Sequence, residues 1–185
     1  MTEFFRNLFN LRKGEGPIAS LMFLYLFFII SSLLVIKPVV NSLFLTNVGI
    51  SNLPYAYLLV AIFAAIVTFA YTTLTKKTNF HRLLLYSLIV FIVCLVLFRI
   101  YFELPFQGVW FYYLFYIWVA IFGTLATSQF WLLANYVFNA REAKRIFGFI
   151  GAGGITGGAF GGYFATLFAP MLGTENMLWF CILFL

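Results

Sequence analysis

The sequence predicts an all-α, polytopic membrane protein, and three observations support this prediction. Of the 185 residues, 64% are hydrophobic and only 9% are charged, whereas soluble domains carry about a quarter of their residues as charged ones. Apolar runs of about 20 residues or more, long enough to cross a bilayer, recur along the chain. The basic residues cluster in alternate connections between these runs. So few charges cannot cover a water-facing surface, and lipid is therefore the predicted solvent and partner.

The apolar runs predict five complete transmembrane spans and a truncated sixth. The complete spans cover about 17–45, 54–74, 83–102, 109–137 and 146–172. The sixth run begins near Met177 and stops at Leu185, which is too short to cross a bilayer. We therefore interpret 1–16 as an N-terminal segment and 17–185 as the N-terminal six-helix half of a longer protein, whose C-terminal half is an expected partner.

Most of the positive charge falls on one side of the predicted spans. Nine of the eleven Lys and Arg residues lie there: Arg6, Arg12, Lys13, Lys76, Lys77, Arg82, Arg141, Lys144 and Arg145. Because cytoplasmic loops carry such an excess, we expect a cytoplasmic N-terminus in a bacterial inner membrane. Attraction of these loops to anionic lipid explains the net charge of +6, so nucleic acid is not an expected partner.

Lys37 is the ionisable residue that stands well inside a predicted span. Charge within a membrane is costly and therefore indicates function by default. The adjacent Pro38 frees a carbonyl in the preceding turn, and Asn41 follows one turn later. These three residues would suit an anionic substrate in a central cavity. The alternative is that Lys37 lies nearer the outer interface and extends its ammonium group to the lipid headgroups.

Polar residues recur along the fourth predicted span. They are Thr127, Ser128, Gln129, Asn135 and Asn139, with Trp131 among them. Hydrogen bonds between helices are one explanation for such groups in lipid. Contact with a substrate is the other, and for this role we single out Gln129 and Asn135.

The fifth predicted span is rich in glycine, but its spacing does not match a nucleotide-binding loop. A G-x-G-x-x-G pattern starting at Gly151 would need glycine where Thr156 stands, and no strand precedes it. The spacing instead gives two ridges of small residues, Gly153, Gly157 and Gly161 on one and Gly154, Gly158 and Gly162 on the other. Such ridges let helix backbones approach closely. The sequence does not distinguish static packing from a sliding contact.

Residue types that carry catalysis are sparse, and we predict neither an enzyme nor a cofactor or metal site. His81 is the single histidine and lies in a basic connection. The five acidic residues, Glu3, Glu15, Glu103, Glu142 and Glu175, lie at span ends or in connections and form no pair suited to acid–base work. Cys94 and Cys181 fall in apolar runs, where a free thiol acts as a small hydrophobe.

Several segments of the chain resemble the ATP/ADP translocase family of nucleotide transporters. FWLLAN at 130–135 and REAKRIFGFIGA at 141–152 are similar to segments that the family shares, and KPVVNSLFL at 37–45 resembles the end of its first helix. The basic connection after the second span also resembles, in degenerate form, a loop of major facilitator transporters. The resemblance implies about twelve helices in two halves, with substrate held between them near the membrane midplane.

The chain departs from the nucleotide exchangers at two places. Val39 and Val40 stand where the exchangers carry a second basic residue, and 117–127 lacks the acidic residue found in their fourth helix. We therefore place the chain in a divergent bacterial branch whose substrate is open.

The leading hypothesis is a secondary transporter of an anionic metabolite, with nucleotides among the candidates. Lys37 would pair with substrate charge, and Asn41, Gln129 and Asn135 would supply hydrogen bonds. The alternative is a transporter-like helical bundle that anchors partner proteins or downstream soluble domains.

Overall fold

A computed structural model describes residues 15–77, 80–104 and 108–185, and within these ranges the chain is helical without a strand. The helices are α1 (Glu15–Asn47), α2 (Leu53–Lys77), α3 (Phe80–Tyr101), α4 (Val109–Val137), α5 (Ala140–Leu172) and the short α6 (Met177–Phe184). A 3₁₀ turn, Ile50–Asn52, connects α1 to α2. Most of the predicted N-terminal segment, including Arg6, Arg12 and Lys13, lies outside the described residues.

Five of these helices are long and apolar enough to cross a membrane, as the sequence predicted. They contain between 22 and 33 residues, against the roughly 20 that a bilayer requires. The sixth, α6, has only 8 residues. The predicted bounds of the fourth span agree with those of α4.

The start of α5 corrects two predictions. We had placed Asn139 in the polar stripe of the fourth span and begun the fifth span at 146. Instead, Asn139 caps α5, because its side chain accepts hydrogen bonds from the backbone N–H groups of Arg141 and Glu142. The Glu142 carboxylate in turn accepts from the Asn139 N–H at 3.1 Å. This capping box satisfies the free donors of the first turn, so α5 begins at Ala140 despite its polar first residues.

Contacts between helix ends fix an up-and-down arrangement. Glu15 and Arg145, at the starts of α1 and α5, form an ion pair of 2.9 Å. The rings of His81 and Tyr136, near the start of α3 and the end of α4, lie 5.4 Å apart. We call this side of the bundle the basic end, since it also carries Lys144 and the other basic residues of the connections.

At the opposite end of the bundle, one arginine of α3 contacts the segment around α6. Arg99, in the last turn of α3, lies 3.1 Å from the Glu103 carboxylate and donates a 2.8 Å hydrogen bond to the Asn176 side chain. Its guanidinium also lies over the ring of Trp179 in α6. Arg99 and Glu103 are four residues apart in the sequence, and their side chains are in contact in the structure.

Helix α1 is the centre of the bundle. It packs most extensively against α5 and also against α4 and α6, while α2 packs on α4 and α3 makes sparser contacts. The chain continues as helix through Pro38. Because proline has no N–H, the carbonyl of Leu34 loses its normal helical partner at this point.

Candidate functional site

A groove with polar lining residues lies between α1 and α4, and we call it the α1–α4 groove. It encloses a cavity of about 460 Å³. Its lining residues are Ile30, Leu33, Leu34 and Lys37 from α1, and Val119, Ala120, Gly123, Thr124 and Thr127 from α4. The glycine, alanine and threonine side chains of α4 are small, and this leaves room for the Lys37 side chain between the helices.

The α1–α4 groove lies at mid-height in the bundle. Gly123, one of its lining residues, has fourteen residues of α4 on either side. At a rise of 1.5 Å per residue, Gly123 is about 21 Å from either end of α4. Lys37 shares this groove and lies ten residues, about 15 Å along the axis, from the end of α1 at Asn47.

Lys37 has no ion-pair partner among the residues that the structure describes, although it is exposed in the groove. Three acids of the described ranges lie at helix ends and are engaged there: Glu15 with Arg145, Glu103 with Arg99, and Glu142 in the cap of α5. An isolated ammonium group is very costly in an apolar medium. A charged Lys37 at this depth therefore requires water in the groove or an anion beside it.

Asn41 lies one turn beyond Lys37 on α1 and is also exposed. Residues four apart share one face of a helix, so the two side chains are on the same side of α1. Asn41 is not among the residues that line the α1–α4 groove. It borders the groove towards the end of α1.

Gln129 does not lie with Lys37. It is fully buried, and its side-chain Oε1 accepts a 2.9 Å hydrogen bond from the hydroxyl of Ser87 on α3. Two residues correspond to a rotation of about 200° around a helix, so Gln129 and Thr127 point to nearly opposite sides of α4. The expectation that Gln129 and Lys37 share a site is therefore not met in this structure.

Asn135 is also far from Lys37. It lies twelve residues beyond Gly123, which is about 18 Å along α4. Its side-chain amide donates to the carbonyl of Trp131 in its own helix at 2.9 Å. Asn135 lines a cavity of about 390 Å³ at the basic end, together with Thr75, Phe80, Leu132 and Tyr136. The four predicted substrate contacts are thus brought to three places rather than one.

The two glycine ridges of α5 have different surroundings. A Cβ at Gly153 would lie 2.5 Å from the Phe23 carbonyl oxygen, and one at Gly161 would lie 2.6 Å from that of Ser31. At Gly157, a Cβ would overlap the backbone of Phe27. We call this contact the α1–α5 seam. It brings the two backbones as close as they can come.

The second ridge makes no such backbone contact. A Cβ at Gly154 would meet only the side chain of Leu26 at 3.3 Å, and one at Gly158 would meet Ile30 at 3.7 Å. At Gly162 nothing lies within 4 Å. Along the second ridge, Gly154 and Gly158 are therefore packed against side chains of α1, whereas Gly162 faces open space.

The groove contains two residues that the sequence did not lead us to select as site residues, Thr124 and Thr127. Thr124 donates its hydroxyl to the carbonyl of Ala120 at 3.0 Å, while its oxygen can still accept a hydrogen bond. The available signal was a pair of hydroxyls three residues apart beside Gly123, in the middle of a span. Three residues apart on a helix, they share one face.

Within the described ranges, no group of three or more His, Cys, Asp or Glu side chains could hold a metal ion. The fold and groove together define a polytopic helical membrane protein with a cationic groove at mid-height. Comparison with protein-family models, with curated proteins and with solved structures gives no match.

Proposed function

We propose that this chain belongs to a secondary transporter of the major facilitator type that moves an anionic metabolite by alternating access. Nucleotides are among the candidate substrates, because several segments resemble the ATP/ADP translocase family. The observation that carries the proposal is Lys37, a cation beside the midpoint of α4 with no ion-pair partner among the described residues. Intramembrane charges of this kind mark substrate pathways.

The groove around Lys37 supplies the rest of the proposed substrate contacts. Thr124 and Thr127 add hydroxyl groups, and the oxygen of each can accept a hydrogen bond from a polar substrate group. Asn41 extends the polar surface by one turn of α1. We therefore assign Thr124 and Thr127 to the proposed site. Gln129 and Asn135 are no longer assigned to it, because they lie away from Lys37.

We further propose that the basic end faces the cytoplasm. The described basic residues at that end include Arg82, Arg141 and Lys144, and cytoplasmic connections carry such an excess. In this orientation α1 starts in the cytoplasm, in a bacterial inner membrane. Labelling of single cysteines placed at 144 and at 175 by an impermeant reagent in intact cells tests it. Labelling at 175 alone is expected, and labelling at 144 alone would reverse the orientation.

The function is tested by ligand-dependent stability of the complete purified protein. An anion that binds the folded state stabilises it by about 2.7 kcal/mol at a hundred times its dissociation constant. We expect ATP, ADP or another phosphorylated metabolite to raise the melting temperature, and Lys37→Met to abolish this shift.

Two variants serve as controls for that experiment. Lys144→Met removes a positive charge by the same substitution from the exposed basic end and should leave the shift intact. Lys37→Arg keeps the charge and should retain part of it. A ligand-induced shift of equal size in the wild type and in Lys37→Met would refute the role of Lys37.

The alternative function, a membrane anchor or scaffold for partner proteins, is favoured by one observation. The open part of the second glycine ridge, around Gly162, can accept the backbone of another helix. A well-folded complete protein that binds no anion, and that co-purifies with a stoichiometric membrane partner lost on Gly162→Leu substitution, would support the scaffold over the transporter.

A further inference from the structure

A buried polar cluster lies where α1, α2, α3 and α4 meet, away from the α1–α4 groove. It consists of Tyr25 on α1, Tyr71 on α2, Ser87 on α3 and Gln129 on α4. Each is between six and ten residues from the basic end of its helix. At 1.5 Å per residue, all four lie about 9–15 Å inside the bundle, at a common level.

Three polar atoms in this cluster have no hydrogen-bond partner among the described residues. They are the hydroxyl oxygens of Tyr25 and Tyr71 and the amide Nε2 of Gln129, and all three are buried. Gln129 itself is 0% exposed. In a bilayer an unsatisfied polar group costs several kcal/mol. One shared partner would satisfy three such atoms from three helices at one place.

The atoms are close to one another without being bonded. Tyr71 lies close to Tyr25 and within hydrogen-bonding range of the Gln129 side chain. Its approach to Gln129 does not meet the distance and angle of a well-formed hydrogen bond, so the Tyr71 hydroxyl and the Gln129 Nε2 are both left without a direct partner. The ring of Tyr25 packs edge-on against Phe130 at 5.6 Å, which limits its movement. Polar groups separated in this way are typically bridged by an ordered water molecule.

The chemistry of the cluster selects a neutral oxygen that both donates and accepts. Ser87 occupies one end of the Gln129 amide, so either the Nε2 or, with the amide turned over, the Oε1 is left to be satisfied. Water satisfies both orientations, whereas an anion can only accept. No Lys or Arg side chain is present in the cluster, and burying an anion in a neutral site is unfavourable.

We propose that Tyr25, Tyr71 and Gln129 bind one water molecule that joins α1, α2 and α4, with α3 attached through Ser87. A buried water with three polar partners is of the usual kind in proteins. It would hold the basic ends of α2 and α3 to the central helices. This inference does not depend on the protein being a transporter.

The test is a double-mutant cycle on the complete protein in lipid nanodiscs. Tyr25→Phe and Tyr71→Phe each remove one hydroxyl and should each lower the melting temperature by a few degrees. Because their hydroxyls share one water without a direct bond, the double variant should lose less than the sum of the two. Tyr86→Phe removes a hydroxyl from an exposed position on α3 and should leave the melting temperature unchanged.

A structure of the complete wild-type protein, at a resolution that shows ordered water, gives the second measurement and does not depend on the variants folding. Density for one oxygen within hydrogen-bond distance of all three atoms is expected. Direct hydrogen bonds among the three side chains, or additive losses in the cycle, would overturn the proposal. Coupling that appears only when a transported anion is added would assign the oxygen to solute instead of water and would likewise overturn it.

Discussion

Two faces of α1 meet their neighbours in different ways. On one face, the α1–α5 seam brings the α1 backbone against Gly153, Gly157 and Gly161 with no room for a methyl group. On a neighbouring face, where Ile30 touches both α5 and the groove, the α1–α4 groove leaves a cavity of about 460 Å³ lined by Lys37. Both partner helices use small residues at the contact. The two contacts differ in what lies against the small residues. The glycines of α5 contact the backbone of α1, whereas the small residues of α4 lie beside the charged side chain of Lys37.

This comparison indicates how a central helix can be both fixed and functional in lipid. Lipid tails are as apolar as leucine, so helices in a bilayer associate by close packing and hydrogen bonds rather than by exclusion of water. The seam supplies that packing for α1. The groove can then remain unfilled without loss of the helix's position. The substrate site that we propose at the groove would thus depend on the packing of α1 at the seam.

The largest expected effect is loss of folding when the seam is filled. Gly157→Ala would place a methyl group against the Phe27 backbone, whose Cα would be 2.9 Å away. Because backbone cannot move aside as a side-chain tip can, we expect a loss of about 1–3 kcal/mol or more, and Gly157→Leu should not yield folded protein. Thermal unfolding in detergent measures both. Gly162→Ala, with nothing within 4 Å, is the control and should be neutral or slightly stabilising.

The matched substitution in the groove should damage function instead. Gly123→Leu fills space near Lys37, and its first side-chain atom would meet only the side chain of Leu33, at 3.1 Å. We expect the folded yield to be retained and anion uptake into proteoliposomes to fall at least about tenfold, equivalent to 1.4 kcal/mol. A variant that unfolds like Gly157→Leu would show that the groove is a packing surface and would remove the contrast.

A smaller effect is expected at the start of α5, before the seam begins. Asn139→Ala removes the side-chain acceptor for the N–H groups of Arg141 and Glu142. Loss of such a cap costs about 0.5–2 kcal/mol, measurable as a lower melting temperature. Asn139→Asp keeps an acceptor and should restore most of the stability. If Ala and Asp behaved alike, the cap would not contribute to the position of α5.

The smallest effect concerns a buried side-chain hydrogen bond across the seam. The hydroxyl of Ser31 donates to the Gly157 carbonyl at 3.0 Å in a buried position. Ser31→Ala should cost about 0.6 kcal/mol, the average for such bonds between membrane helices. Ser20→Ala, at an exposed position of the same helix, should cost nothing measurable. A loss several times larger at Ser31 would mean that the seam depends on this bond more than on backbone contact.

The number and approximate extent of the spans could be predicted from the sequence, since helix length in lipid follows from the length of an apolar run. The run of α4 is bounded by Gly108 and by Asn139, and its predicted limits agree with the structure. The predicted start of α5 was wrong because Arg141, Lys144 and Arg145 interrupt the apolar run of the sequence without interrupting the helix. The Asn139–Glu142 capping box was the sequence signal for that start.

The grouping of the site residues could not be predicted in the same way. A helix that is apolar all round carries no stripe to show which side faces its neighbours. Gln129 and Thr127 therefore gave no sign that they face different helices, and we had grouped Gln129 with Lys37. The glycine ridges could be found by spacing. The sequence spacing does not show which of the two ridges packs against α1, because that depends on the rotation of α5 about its own axis.

The residues that form the α1–α5 seam repeat every four positions on both helices. Such a repeat does not by itself determine the axial register of one helix against the other. Phe23, Phe27 and Ser31 recur every four residues opposite glycines that recur every four residues. Sliding α5 by one repeat, about 6 Å, would again set backbone against glycine. Two non-repeating contacts select a single position, the Ser31–Gly157 hydrogen bond and the Glu15–Arg145 ion pair. In this seam the glycines set the distance between the two helices. The Ser31 hydrogen bond and the Glu15–Arg145 ion pair set the axial position of α5 relative to α1.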